Sequence, residues 1–274
     1  AVRRVGEPAT PRLAVFLHGA AGDLAAGHEG RVSMIAGDLI NHIGPALEQL
    51  TAHNAQGELY LTDAVRGIAD AGATVAAYVT ADPGEAEGVN TRVELAAATA
   101  VLRDRINEAH MLAGVTILVP ATTWIVPTVT LQPDVVVHPF TVLRGSTAIA
   151  GDAEIGPHVV AVDVAIGPGA VVGPFCYLRP GTVLGASSKA GTFVELKNTT
   201  LGEGTKVPHL SYMGDAEIGD RTNVGAGSIT VNLPHGGGPK QRTEIGRDVR
   251  AGVDTVLVAP STSETTRGRP RARS

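Results

Sequence analysis

Two basic side chains, Arg179 and Lys197, are spaced so that they could bind one phosphate group together. They lie 18 residues apart, which a repeat in this part of the chain makes one full turn of the backbone. Stacked cations on a chain whose net charge is −5 favour a phosphate-bearing ligand, because guanidinium and ammonium groups donate charge-assisted hydrogen bonds to it. His209 follows within one further turn and could accept a proton near neutral pH. Solvated edge cations and an ordinary surface histidine are the alternative interpretation.

The element that must position these residues is a repeat of six residues. An aliphatic or small residue recurs at Ile125, Leu131, Val137, Leu143, Ile149, Ile155, Ala161, Ile166, Val172, Leu178, Leu184, Ala190, Leu196, Leu201, Val207, Met213, Ile218 and Val224. A period of six matches neither a helix nor a simple half-buried strand, and it is typical of a parallel β-helix built from hexapeptides. The steps 161–166, 196–201 and 213–218 are one residue shorter. The repeated side chains should therefore fill a narrow prism.

A second inward position is expected four residues after each of these, and it is small or β-branched except at Glu217. The period returns at Ile245, Ala251 and Leu257, which gives 21 hexads and about seven coils, with the stretch 230–244 looping out. A β-sandwich or a disordered segment fits less well, because neither keeps an aliphatic residue in a six-residue phase. The predicted fold class is mainly β, a parallel β-helix with an α/β remnant and a connecting helix before it.

Composition divides the rest of the chain. Helix formers that end at Gly114 predict a connecting helix. A strand at Val75–Val79 and a turn at Asp82–Gly84 predict a small α/β piece before that helix. The Ser-, Thr-, Arg- and Pro-rich end is expected to be a disordered tail. The predicted segments are 1–50, 51–93, 94–114, 115–260 and 261–274.

The composition also limits the partners and the location. The negative net charge gives no support to nucleic-acid binding. Cys176 is the only cysteine and occupies an inward repeat position, so a small core residue is favoured over a reactive thiol. The sequence contains neither a long apolar run nor a signal-peptide pattern at its start. We therefore expect a soluble cytoplasmic protein without a membrane partner.

Longer stretches carry a family resemblance. The motifs are Tyr177-Leu-Arg-Pro-Gly181, Phe193-Val-Glu-Leu-Lys-Asn198, Lys206-Val-Pro-His-Leu-Ser-Tyr212, Gly214-Asp-Ala-Glu-Ile-Gly219, Asn223-Val-Gly-Ala-Gly227, and two earlier stretches at 54–63 and 105–116. Over about residues 51–260 the chain resembles the bacterial bifunctional N-acetylglucosamine-1-phosphate uridyltransferases and glucosamine-1-phosphate N-acetyltransferases. The resemblance implies a left-handed β-helix, a homotrimer with acetyl-transfer sites between subunits, and acetyl-CoA as co-substrate.

The resemblance also implies roles for individual residues. Arg179 and Lys197 match the residues that hold the sugar phosphate, and His209 matches the base that deprotonates the sugar amine as it attacks acetyl-CoA. The other matches are Tyr212, Asn223 and Lys240 for the substrate, and Ala226 and Asn232 for acetyl-CoA. The implied activity is acetylation of glucosamine-1-phosphate on the route to UDP-N-acetylglucosamine.

The chain departs from this family in the cofactor region. After Asn232 it reads Leu233-Pro-His-Gly-Gly-Gly-Pro239 instead of a Tyr-Asp-Gly loop, and Val253 stands where a serine is expected. The coils that complete the acetyl-CoA site in the family have no counterpart before the Arg-rich tail. A catalytically impaired trimeric scaffold is therefore the alternative to an active acetyltransferase.

The uridyltransferase half is represented only by its end. Asn90 matches a ligand of the catalytic magnesium, but the Gly-rich nucleotide loop and the partner aspartate are missing. An asparagine without carboxylates is a poor magnesium site, so Mg²⁺ is expected only if that half were complete, and uridyl transfer is predicted to be lost. Residues 13–26 and 35–40 resemble the C-terminal helices of an ADP-dependent NAD(P)H-hydrate dehydratase, for which no activity is expected.

Two other functions are known for prisms of this kind. A γ-class carbonic anhydrase needs three histidines that converge on zinc, and His138, His158 and His209 lack that spacing. An ice-binding prism needs a flat ladder of threonines on one face, which the repeat does not contain. Both are less compatible with the sequence than acetyl transfer.

Overall fold

The computed structural model describes residues 88–233 and 237–263, together with a few short pieces before residue 88. The chain divides into two compact units, Ala1–Ala98 and Thr99–Ser274. In the first unit, β1 (Arg12–Leu13) pairs in parallel with β2 (Thr74–Val75). The turn predicted at 82–84, most of the strand predicted at 75–79, the tail after 263 and the remainder of the segment 1–50 lie outside the described residues.

A long helix, α1 (Arg92–Leu112), precedes the repeat. It begins with a capping box, in which Glu94 N donates to Thr91 Oγ1 at 3.2 Å and Thr91 N donates to Glu94 Oε2 at 2.7 Å. It ends at Leu112, and Gly114, the predicted capping residue, has a φ of +97° that suits a residue without a Cβ. Within the part of the chain that the structure describes, no helix is long and apolar enough to cross a membrane.

The repeat forms three parallel sheets that wrap around one axis, which confirms the predicted β-helix. Sheet 1 contains β3 (Thr116–Ile117), β6 (Val136–Val137), β9 (Glu154–Ile155), β12 (Val171–Val172), β15 (Lys189–Thr192) and β18 (Lys206–His209). Sheet 2 contains β4 (Trp124–Ile125), β7 (Val142–Arg144), β10 (Val159–Val162), β13 (Cys176–Leu178), β16 (Glu195–Lys197), β19 (Tyr212–Gly214), β21 (Ile229–Val231) and β23 (Val256–Val258). Sheet 3 contains β5 (Thr130–Leu131), β8 (Ala148–Ile149), β11 (Ala165–Ile166), β14 (Val183–Leu184), β17 (Thr200–Leu201), β20 (Ala216–Ile218), β22 (Thr243–Ile245) and β24 (Ser261–Ser263).

The predicted aliphatic residues fill the interior of this prism. Leu143, Ile155, Leu178, Leu196 and Met213 are completely buried. Because each fully buried side chain of this size contributes about 1.5–3 kcal/mol relative to exposure, the stacked column is the main source of stability. Each coil thereby holds its outward residues at a fixed register relative to the next coil.

The shortened steps change which residue points inward. The second inward position of the step 213–218 is Ala216, which is completely buried, whereas Glu217 lies outside and is exposed. The same shift makes Val164 and Thr199 the buried residues in the other two short steps. The prediction that placed this position four residues after the aliphatic one was wrong in the short steps. These steps have one residue fewer between the two inward positions, so the second inward residue follows the first by three.

The stretch 230–244 forms less loop than predicted. Its ends are strands, since β21 continues to Val231 and β22 begins at Thr243. Thr230 is inward and buried, and its Oγ1 donates to Gly214 O at 3.0 Å and accepts from Gly214 N at 2.8 Å. The aliphatic pattern therefore did not predict this strand, because its inward residue is polar.

Cys176 lies at an inward position, as predicted. Its Sγ donates to Gly191 O at 2.8 Å, and the side chain is buried. Burial raises the pKa of this thiol to about 11, because the thiolate would lose its hydration. The cysteine is thus an inert core residue.

Candidate functional site

Arg179 and Lys197 occupy the same edge of sheet 2 on successive coils. Arg179 follows β13 directly, and Lys197 is the last residue of β16. Leu178 pairs with Leu196, and Arg179 N donates to Leu196 O at 2.8 Å, so the two cations stand one above the other. The 18-residue spacing therefore gives the stacked arrangement that the sequence predicts.

Each of these cations has a carboxylate partner. Arg179 Nη1 lies 3.0 Å from Glu195 Oε1, and Lys197 Nζ lies 3.7 Å from Asp215 Oδ2. The hydrogen bond with Glu195 raises the pKa of Arg179 further, so this guanidinium stays charged. All four side chains are partly exposed, with exposed fractions between 18% and 39%. An incoming anion can therefore reach the cations from solvent.

A third cation, Lys240, joins the cluster from the loop between β21 and β22. The base of this loop is closed by Gln241 N, which donates to Asn232 O at 2.9 Å. Lys240 lies beside Lys197, and contact with the Lys197 ammonium lowers the pKa of Lys240. The pKa of Lys197 is raised, because its ammonium can donate to the Lys240 amine and faces the charge of Asp215. Arg179, Lys197 and Lys240, the cation cluster, thus lie together as a compact group of positive charges that an anion could bind.

Tyr212 lies beside the cation cluster on the outer face of sheet 2. Tyr177, Glu195 and Tyr212 occupy the same strand position on three successive coils. The Arg179 guanidinium carbon lies 5.9 Å from the centre of the Tyr177 ring. Gly214 pairs with Lys197 on the neighbouring coil, and the Tyr212 ring lies against Gly214, so the ring is close to the cations. The predicted substrate residue Tyr212 is therefore brought to the cation cluster.

His209 borders the same face from the opposite edge. It is the last residue of β18 in sheet 1 and is exposed, and β19 of sheet 2 begins three residues later at Tyr212. At about 3.3 Å per residue, the chain from His209 to Gly214 spans at most about 17 Å. Among the described residues, no hydrogen bond, ion pair or ring contact joins the His209 ring to the cation cluster. Sheet 2 therefore separates His209 from the cation cluster.

Asn223 and Ala226 lie away from the cations. Asn223 forms bridges with Lys206 and Arg250, which places it on sheet 1. His209 and Ala226 each lie three residues beyond the bridged pair Lys206 and Asn223, so they follow one another along the same edge of the prism. Within one chain, Asn223 and Ala226 therefore lie on the same side of the prism as His209 and away from the cation cluster.

The side-chain amide of Asn232 is used within the protein. Its Nδ2 donates to Gln241 O at 2.9 Å and lies 3.3 Å from Asp215 O, and the residue is 8% exposed. The amide therefore closes the loop that carries Lys240. Val253, which replaces the expected serine, is 70% exposed and offers no hydrogen-bonding group.

Asn90, the magnesium match, lies just before α1. Its backbone N–H donates to Glu94 Oε2 at 2.6 Å, so this carboxylate serves the helix cap. The residues that the structure describes contain no cluster of three or more metal-type side chains. The donors around Asn90 therefore do not fit a magnesium ion, which prefers several oxygen ligands.

Two acidic members of the site, Glu195 and Asp215, are not among the residues predicted from the sequence. The register supplies the signal that could have found them, because Glu195 lies two residues before Lys197 on the same strand. Asp215 follows Gly214, the residue directly paired with Lys197, at one of the shortened steps. Acidic residues beside a predicted cation stack were thus available from the repeat alone.

Comparison with known proteins identifies close relatives for most of the chain. It is 51% identical over 233 residues to the bifunctional protein GlmU of Paenarthrobacter aurescens, which covers 79% of this chain and 46% of that protein. It is 52% identical to GlmU of Mycolicibacterium gilvum, over 79% of this chain and 46% of that protein. It is 49% identical to GlmU of Streptomyces coelicolor, over 80% of this chain and 48% of that protein. The chain therefore spans less than half the length of the relatives it matches. No protein-family model matches the chain.

Solved structures with some likeness include a hexapeptide transferase family protein from Anaplasma phagocytophilum. That protein is 17% identical, with a TM-score of 0.32 over 53% of this chain and 78% of its own. PerB from Caulobacter crescentus, in complex with CoA and GDP-perosamine, is 20% identical with a TM-score of 0.22 over 71% and 87%. Likenesses of this strength do not equate individual residues between the chains.

Proposed function

We propose, starting from the homology of most of this chain to part of the GlmU proteins, that it transfers an acetyl group from acetyl-CoA to the amine of glucosamine-1-phosphate. The observation that carries the proposal is the cation cluster, in which Arg179 and Lys197 stack on successive coils and Lys240 meets them from a loop. Three cations that converge on one partly exposed point suit a phosphate monoester, which carries nearly two negative charges at neutral pH. The glucosamine ring then lies over sheet 2 beside Tyr212.

In the proposed mechanism, the phosphate is held at the cation cluster and the sugar amine is directed toward His209. Neutral His209 takes a proton from the amine as its nitrogen attacks the thioester carbon of acetyl-CoA. The carbon–sulfur bond then breaks, the new amide bond remains on the sugar, and the CoA thiolate receives the proton from His209. Fixing the phosphate contributes by holding the nucleophile in position, which lowers the entropic part of the barrier.

The assembly and the pathway follow from the same homology. A homotrimer would place the edge of the prism that carries Asn223 and Ala226 beside the cation cluster of a neighbouring copy. The acetylated product would feed the synthesis of UDP-N-acetylglucosamine, a cell-wall precursor, in the cytoplasm. Uridyl transfer would require groups that the region around Asn90 does not supply, so acetyl transfer is the single proposed activity.

A trimeric scaffold without turnover is the second candidate. It is favoured by Val253, whose exposed apolar side chain stands where a hydrogen-bonding serine is expected. This candidate keeps the prism and the cation cluster but loses part of the acetyl-CoA contact. The two candidates differ in whether CoA is released.

A coupled assay for free CoA with glucosamine-1-phosphate and acetyl-CoA tests the proposal. Wild type should release CoA, and His209→Ala should lower turnover by at least about 10²-fold, because general-base catalysis contributes that much. His138→Ala is the matched control, since His138 is a surface histidine that pairs with Glu154 at 2.8 Å, away from the cation cluster. Light scattering reports whether each variant keeps its oligomeric state.

The outcomes separate the candidates. Retained turnover in His209→Ala would contradict the base assignment. A wild-type chain that assembles but releases no CoA would instead support the scaffold.

A further inference from the structure

Asp215 contacts both the Lys197 side of the site and the corner of the neighbouring coil. It is a corner residue with a φ of +47°, and its backbone N–H donates to Lys197 O at 2.9 Å. Its Oδ1 accepts a hydrogen bond from Asn198 Nδ2 at 2.7 Å, while Oδ2 faces Lys197 Nζ at 3.7 Å. The carboxylate is 18% exposed, and Asn198 and Lys197 hold its two oxygens.

The same residue anchors the loop that brings Lys240. Its carbonyl accepts from Thr243 N at 3.0 Å and lies 3.3 Å from Asn232 Nδ2. Its charge acts favourably on both Lys197 and Lys240. Asp215 therefore contacts the fixed lysine directly and holds the base of the loop that carries the second lysine.

Two ammonium groups this close repel each other, and Arg179 adds a third positive charge. Such an arrangement favours the loss of a proton from one lysine, and the lowered pKa of Lys240 shows this tendency. The ionisable groups around the lysines are Arg179 at the end of β13, Glu195 on β16, Tyr212 on β19, and Asp215. Because Glu195 is bonded to Arg179, Asp215 is the carboxylate that faces the lysine pair.

We propose that Asp215 is a positioning residue whose carboxylate holds Lys197 and Lys240 together as a doubly charged phosphate clamp. The proposal rests on the proposed function only for the identity of the ligand, a sugar phosphate. The carboxylate offsets the repulsion between the two ammonium groups while leaving their outer sides open to solvent. The same carboxylate also places a negative charge close to the bound phosphate, which weakens phosphate binding.

These opposing effects predict that Asp215→Asn changes phosphate affinity in opposite directions at low and at high pH. At pH 7.5, which is well below the ordinary pKa of a lysine, Asp215→Asn should bind phosphate at least as tightly as wild type, because a repelling charge is gone. At pH 9.5 the two lysines lose protons more readily in the variant than in wild type, because the Asp215 carboxylate no longer favours their charged forms. Its affinity should therefore fall by about tenfold between these pH values, against about threefold or less for wild type.

Asp215→Asn preserves the local structure. An asparagine Oδ1 can still accept from Asn198, and asparagine tolerates a left-handed backbone. Asp215→Ser is a second variant that removes the charge, and Ser187 adopts a φ of +54° at another corner of this prism. Asp163→Asn is the matched control, because Asp163 has a φ of +51°, is exposed and lies three coils away with its Oδ1 bonded to Ser146 N.

Isothermal titration calorimetry of the full chain with glucosamine-1-phosphate, at pH 7.5 and 9.5, tests the clamp without requiring turnover. Support consists of equal or tighter binding at pH 7.5 and weaker binding at pH 9.5 in both charge-removing variants, with Asp163→Asn equal to wild type. Weaker binding by the same factor at both pH values would mean a merely structural role and overturn the proposal, as would wild type that binds no sugar phosphate. Wild type that binds with this pH dependence but releases no CoA refutes the proposed acetyl transfer and leaves the clamp standing.

Discussion

The Tyr212 ring lies across the backbone of Gly214, two residues further along the same strand. A Cβ added at Gly214 would lie 2.6 Å from Tyr212 Cζ, which is shorter than any real contact of that kind. Gly214 also pairs directly with Lys197 on the coil above. The missing side chain at position 214 thus lets the tyrosine ring lie beside the cation cluster.

Gly214→Ala should therefore displace Tyr212 without unfolding the prism. The backbone φ of Gly214 is not positive, so alanine is tolerated there and the overlap must be relieved by the ring. We expect the KM for glucosamine-1-phosphate to rise about tenfold, as for the loss of one good polar contact. Steady-state kinetics with the sugar phosphate as the varied substrate measures this change.

A double-mutant cycle provides the control for the Gly214 effect. If the alanine acts by moving Tyr212, it should add little to a Tyr212→Ala variant, and the two effects should not sum. Full additivity would mean that Gly214 acts on the site by another route.

Lys197→Met should affect the phosphate and not the sugar. Removing one charge-assisted hydrogen bond costs about 1.5–3 kcal/mol, so the KM for glucosamine-1-phosphate should rise by about 10- to 100-fold. The rate with glucosamine, which lacks the phosphate, should change little. Arg221→Met is a suitable control, because Arg221 is an exposed cation bonded to Asp248 at 2.7 and 2.8 Å. A parallel loss with both substrates would contradict the phosphate role.

The six-residue period was sufficient to predict the prism and most of its core, because each coil must place an aliphatic side chain in the same narrow interior. Strands were missed where that rule is obscured. Ile117 precedes Ile125 by more than one repeat because a 3₁₀ turn at Pro120–Thr122 is inserted between their strands. Thr230 keeps the six-residue phase but is polar, and its hydroxyl is satisfied by Gly214 instead of by apolar packing.

The site was only partly predictable for a related reason. Residues in the periodic part, such as Arg179 and Lys197, have positions that follow from counting. Lys240 lies in a non-periodic loop, so no spacing rule brings it to Lys197, and only the family resemblance suggested it. The structural use of Asn232 also depends on how that loop closes, which the sequence pattern does not specify.

Asn107→Ala should destabilise the start of the prism. Asn107 is completely buried in α1, and its Nδ2 donates to Pro120 O and Thr123 O, both at 3.0 Å. Truncation would leave two carbonyls without their donor and open a small cavity, which we expect to cost about 2–4 kcal/mol of unfolding free energy. Urea unfolding followed by circular dichroism measures this loss. Glu108→Ala, at the next and exposed helix position, should stay within about 0.5 kcal/mol of wild type.

Cys176 should be protected from thiol reagents for as long as the prism is folded. With a pKa of about 11 in the folded chain, the thiolate fraction at pH 8 is far smaller than in the unfolded chain, where an ordinary cysteine has a pKa near 8.5. The difference in thiolate fraction alone predicts a reaction with a disulfide reagent that is about 10²-fold slower in the native protein than in guanidinium chloride. Absorbance of the released chromophore measures both rates, and Cys176→Ala gives the background. A native rate within tenfold of the unfolded rate would show that the interior of the coil at Cys176 opens readily, because Sγ is otherwise enclosed and bonded to Gly191 O.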